Sequence, residues 1–232
     1  MDSLNDKNIG TNGYSDVSDY AMYFLKRGHG TDLNTIDGNM KLQKLLVFAN
    51  MISLAERDVP LFNDEILAFE QGCVIEKVRL RHQNDFSGFL ADSRRFSPEF
   101  SQEEYDVLNL TISLFADLTA RELSDLNHTF SFWKDAYANS QNPDGFKDKK
   151  KAVVSLNAMR AELDRFKVAI SAYRETSGEN QTKEVISGIT FYYDPKEIVL
   201  TDDILSDLYK FSLVAKEKSY SVYTDNGSLV IF

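Results

Sequence analysis

The sequence predicts an α+β protein that is mainly helical, with a small β part gathered toward its C-terminal end. Three observations predict this. Apolar residues recur at three- and four-residue spacing in several stretches up to Glu175, which is the helical period. From Ile189 onward the pattern changes to short runs rich in Tyr, Phe, Ile and Val, the signature of strands. Between two such runs stands Asp225-Asn226-Gly227, whose Asn-Gly pair supplies the positive backbone angles of a tight hairpin turn.

Taken in order, residues 1–13 are polar, lack a hydrophobic period and read as a flexible tail. Ser18 can cap a helix in which Ala21, Phe24 and Leu25 share a face and Gly28 marks the end. After a polar loop, residues 40–57 give the clearest helix, with Leu42, Leu45, Leu46, Ala49 and Ile52 as its buried stripe. Pro60 stops it, and residues 61–71 read as a strand or loop leading into Gly72. Further helices are expected over 75–82, 101–118 and 124–140, the second opened by a capping box of Ser101 and Glu104. Asn142-Pro143-Asp144-Gly145 is a turn cluster, and Lys147, Lys149, Lys150 and Lys151 lead into a long helix ending near Glu175. Its Leu156, Met159, Leu163, Phe166, Ile170 and Tyr173 form a narrow seam suited to a helical hairpin or to a second chain, so self-association is one of its readings. A polar break over 176–183 precedes a strand pair, 189–193 and 197–200, turned at Asp194-Pro195. A helix over 202–216 and a hairpin of 220–224 with 228–232 complete the chain. The expected organisation is a tail (1–13), a helical domain (14–140), a linker with a long helix packed on it (141–178) and an α+β appendage (179–232).

Composition narrows the function classes. With 43% hydrophobic and 27% charged residues, the chain has the balance of a folded protein. A net charge of -10 repels phosphate backbones and anionic headgroups, which argues against nucleic acid and membrane surfaces and favours a basic protein partner. Cys73 is the single cysteine, so no internal disulfide or multi-cysteine zinc site is available, and a reducing cytoplasm is the expected compartment. His29, His82 and His128 show no metal-ligand spacing, and no cofactor is expected. A Cys73/His128 dyad is the sharpest enzymatic reading, set against a buried structural cysteine and a hydrogen-bonded histidine.

Three patches carry a family resemblance. Asn39-Met40-Lys41-Leu42-Gln43-Lys44-Leu45-Leu46 is similar to the Lys-Leu-Gln-Lys-Leu-Leu helix of the Panacea domain, the SocA-like or GepA-type prophage family. Pro60-Leu61-Phe62, Glu65-Ile66, Ala68-Phe69 and Gly72-Cys73-Val74 stand where that family carries Leu-Phe, Glu-Ile-Glu-Ala-Trp and Gly-Pro-Val. Leu123-Ser124-Asp125-Leu126-Asn127-His128, with Phe132-Trp133, resembles its Leu-Ser-X-X-Thr-His and Pro-Trp signature. The chain departs from the pattern at Phe69 (usually Trp), Cys73 (Pro), Asn127 (Thr) and Phe132 (Pro), and losing the proline at Cys73 frees a backbone amide.

The resemblance implies a mainly helical antitoxin domain that neutralises a cognate protein toxin, with some members instead delivering the toxin to a protease; it brings no catalytic residues. A prophage-associated transcriptional regulator is the reading from another class, opposed by the acidic charge and the absence of a recognisable helix-turn-helix. Lys44, Phe48, Phe69, Gln71, Gly72, His128 and Trp133 are the candidate partner-binding residues, grouped around a shared groove or, alternatively, one common core. A charge introduced at Phe69 separates the two: it abolishes neutralisation in a folded protein if the groove exists, and abolishes folding otherwise.

Overall fold

A computed structural model describes residues 15–31, 35–142, 146–176, 182–194, 197–225 and 228–232. The expected tail 1–13, and the turns expected at Asn142-Pro143-Asp144-Gly145, Asp194-Pro195 and Asp225-Asn226-Gly227, lie wholly or partly outside these residues. The chain forms two compact units, Met1–Val168 and Ala169–Phe232. In order come α1 (Val17–Lys26), α2 (Ile36–Arg57), β1 (Ile66–Phe69), β2 (Gly72–Ile75), α3 (Glu76–Asn84), α4 (Phe86–Arg95), α5 (Gln102–Phe115), α6 (Ala120–His128) and α7 (Ser131–Ser140). A 3-10 turn (Lys149–Ala152) leads to α8 (Leu156–Arg160) and α9 (Leu163–Thr176), followed by β3 (Thr182–Ile186), β4 (Ile189–Tyr193), α10 (Asp202–Ser212), β5 (Ser219–Asp225) and β6 (Ser228–Ile231). This is the mainly helical α+β arrangement with C-terminal strands that the sequence predicts.

In the first unit α2 is the central helix. Its side chains from Leu42 to Leu54 are all buried, so the helix is enclosed on every side and not along one stripe. It starts at Ile36, four residues before the expected Met40, capped by Thr35, whose hydroxyl accepts from Gly38 N at 3.1 Å. It ends where Asp58 adopts the left-handed conformation (φ 55°), ahead of Pro60. Four polar residues are buried in it, and each holds the chain that follows. Ser53 donates to Val59 O at 2.7 Å, Asn50 accepts from Leu61 N at 2.7 Å, Lys44 donates to Cys73 O at 3.0 Å, and Gln43 accepts from Ile75 N at 2.7 Å. Buried polar atoms without such partners are expensive, so these bonds fix the path of residues 59–75 along α2.

Other starts and stops differ from the sequence reading for local reasons. Asp16, not Ser18, caps α1, its carboxylate accepting from Ser18 N at 2.8 Å. α4 escapes the apolar period because only Phe86, Phe89 and Ser93 are buried on it. α5 begins with the expected capping box, and α6 has a second one in Thr119 and Glu122, so Ser124 lies inside the helix and is not its cap. The single helix expected over 124–140 is two. Phe130 leaves the helical conformation to enter the core, stacked 5.1 Å from Phe132 and 5.5 Å from Phe166, while Glu162 accepts from Ser131 N at 2.8 Å. The expected long helix is also interrupted: Val153 pairs with Leu67, Val154 N donates to Ile66 O at 2.8 Å, and Ser155 starts a new cap at Ala158 N.

In the second unit the sheet order is β3-β4-β5-β6, antiparallel at each end, with β4 and β5 parallel across the α10 crossover. β4 pairs with β3 through Ser187 and Gly188, both at positive φ, whereas residues 197–200 form no strand and Ile198 enters the core with Phe191, Tyr193, Leu208 and Val222. α10 stops short of the expected Lys216 because the Tyr220 hydroxyl accepts from Lys216 N and Glu217 N, both at 2.8 Å.

Candidate functional site

The β1–β2 hairpin is two strands of four residues with its turn at Glu70-Gln71, too short to stand alone. Side chains from distant elements hold its β2 edge and its tip. On the β2 side Cys73 gives its amide to Asn127 Oδ1 at 2.7 Å and its carbonyl to Lys44, and Ile75 gives its amide to Gln43. At the tip, Ser124 Oγ donates to Gln71 O at 2.9 Å and Trp133 Nε1 donates to Phe69 O at 2.8 Å. Ser124, Asn127 and Trp133 of the signature therefore each take one backbone group of the hairpin. Gly72 is needed between them: it has φ +94°, and a Cβ there would lie 2.6 Å from both Asn127 Oδ1 and Lys44 Cε.

This places the candidate residues. Lys44 and Gly72 are buried behind the hairpin, Phe69, His128 and Trp133 are half-buried, and the Gln71 side chain is exposed. Phe48 is set apart from them, buried with Phe115 (4.8 Å) and Phe166 (6.0 Å) in the core. His128 lies 4.0 Å from the Trp133 ring, and Trp133 stacks on Tyr137 at 5.1 Å, so a short aromatic ladder flanks the tip. Desolvation and the Lys44 charge lower the His128 pKa.

A cavity of about 620 Å³ opens beside the hairpin, bounded by the first turns of α2, by β1 and β2, by α3, and by Ser140, Lys147, Asp148, Lys149 and Ala152. Lys44, Phe69 and Gln71 line it, joined by Arg79 and His82, which the sequence reading did not single out. Arg79 lies over the Phe69 ring at 5.7 Å and donates to Gln83 at 2.9 Å. The signal that could have found it is its place on α3, one helical turn after the hairpin.

Cys73 is fully buried, and burial pushes its thiol up to about 12 despite Lys44 and Asn127 beside it. A thiol so enclosed does not ionise for nucleophilic attack. Among the described residues, no three His, Cys, Asp or Glu side chains are grouped as a metal site requires, and no helix is long and apolar enough to cross a membrane.

The freed amide expected at Cys73 is the one that Asn127 accepts, so two of the departures from the family pattern meet in one hydrogen bond. No curated protein and no solved structure matches the chain. A family model described as antitoxin SocA-like, Panacea domain, matches residues 42–134, the span from the α2 lysine through the hairpin to the tryptophan that holds its tip. Over residues 42–134 the chain is thus similar to the Panacea domain of the antitoxin SocA-like family.

Proposed function

We propose that the protein is an antitoxin that neutralises a cognate protein toxin by binding it, without a chemical step of its own. The observation that carries this reading is the Panacea match over residues 42–134. The net charge of -10 supports a basic toxin, since complementary charge speeds encounter and selects partners. The hairpin tip, with exposed Gln71 between the Phe69 ring and the His128–Trp133–Tyr137 ladder, is the contact surface in this reading; half-buried aromatics on a rigid support are the usual anchors of interfaces.

The test is co-expression with the toxic product of an adjacent gene, followed by inhibition with the two purified proteins. Rescue of growth and a stoichiometric loss of toxin activity in vitro are expected. Rescue that needs a cellular protease identifies the adaptor role instead, and a chain that binds DNA at cellular salt without rescuing growth identifies the regulator. Gln71→Arg, which alters only an exposed side chain, is expected to weaken the complex about tenfold while leaving the melting curve unchanged.

A further inference from the structure

The cavity beside the hairpin contains a charge that its own lining does not neutralise. At its mouth, Lys147 faces Glu70 at 3.4 Å, Lys149 pairs with Glu76, Arg79 meets Glu76 at 3.4 Å, and Asp148 faces Lys151 at 3.8 Å. Among the described residues, Lys44 has no such counterpart. It is fully buried, it lines the cavity, and its recorded hydrogen bond is to the Cys73 carbonyl, which leaves ammonium protons unspent. Its charge survives at neutral pH, because burial brings it down only to about 8. A second donor lies in the same lining: Arg79 Nε is buried and has no acceptor among the described residues. Native interiors rarely leave such groups unmatched unless something else supplies the acceptor. Met40, Ala68, Phe69, Val74 and Ala152 give the wall an apolar part, beside polar Asn39, Gln43, Gln71 and His82.

We propose that this cavity binds a carboxylate on an apolar body, the carboxylate oxygens reaching Lys44 and Arg79 and the body lying along Phe69 and Val74. The volume falls in the range of small-ligand pockets, roughly 300–1,000 Å³. A monoanion matches one unanswered buried cation, whereas a phosphate dianion would carry an excess charge into an apolar wall. The carboxylate can belong to a free organic acid or to the C-terminal end of a peptide. The site stands independently of the toxin reading.

The experiment is calorimetric titration of the full chain with octanoate, octan-1-ol, and an acetylated Leu-Leu-Phe peptide with either a free or an amidated C-terminus. A carboxylate probe is expected to bind at least about tenfold more tightly than its neutral counterpart, the value of a charge-assisted hydrogen bond. That preference is expected to disappear in Lys44→Met and to fall in Arg79→Gln. Octanoate alone showing the preference assigns the site to a small acid, and the free-acid peptide binding more tightly than octanoate assigns it to a chain end; either supports the proposal. As a readout that does not depend on the variants folding, the Lys44 side-chain nitrogen resonance of the unaltered protein is expected to shift with octanoate and not with octanol. Equal binding of acid and alcohol, no binding of either acid at millimolar concentration, or an unmoved Lys44 resonance overturns it.

Discussion

Lys44 and Cys73 set opposite dependences of stability on pH. In the unfolded chain Lys44 titrates near 10.5, whereas burial in the fold, opposed by Cys73, pushes it down to about 8. Between these values the unfolded chain holds the additional proton, so the fold gains stability as pH rises. Burial raises Cys73 from 9.0 to about 12, so above 9 the unfolded thiol ionises first and stability falls with pH. Urea titrations are therefore expected to show a gain of about 1 kcal/mol between pH 8 and 9, halted above it, and Lys44→Met is expected to remove the gain. The Cys73–Asn127 bond makes a second residue-scale prediction. Asn127→Thr orphans the Cys73 amide and is expected to cost about 1–3 kcal/mol, but distinctly less in a Cys73→Pro background, where no amide remains. A double-mutant cycle by chemical denaturation measures the coupling, and purely additive costs would show that the two positions act separately.

Among the elements, those with a local signal were legible in the sequence. The start of α5 could be read because Ser101 and Glu104 satisfy each other's backbone within one turn. β2 could not, since the groups that hold it come from Gln43, Lys44 and Asn127, distant in sequence. The break between α6 and α7 likewise depends on Phe166 and Glu162, which no window around Phe130 contains. The same distinction separates two glycines. Gly72→Ala is expected to cost at least about 2 kcal/mol, adding collisions with Asn127 and Lys44 to the left-handed backbone. Gly188→Ala, at φ +82° with nothing within 4 Å, is expected to cost only about 1 kcal/mol. Thermal unfolding of the two variants compares them directly.

For the whole molecule, fold class and charge follow from composition and period, whereas the grouping of candidate residues follows from packing. Leu42, Leu45, Leu46, Ala49 and Ile52 read as one apolar stripe with Lys44 and Phe48 as candidates for a shared groove, yet Phe48 joins the core and Lys44 the cavity, because α2 is enclosed on all sides. The net charge makes a prediction on the same scale. In the antitoxin reading, stopped-flow association with a basic toxin is expected to slow about tenfold or more from low to high salt, with dissociation little changed. The four grips of α2 on residues 59–75 also bear on how this domain can change in length over evolution. Leu61 is pinned by Asn50 and Ile66 by Val154 N, so the stretch between them, with exposed Asn63 and Glu65, can absorb an inserted residue. An insertion between Cys73 and Ile75 would instead throw both Lys44 and Gln43 out of step with the strand, so lineages of this fold should vary in length at the first place and keep it constant at the second.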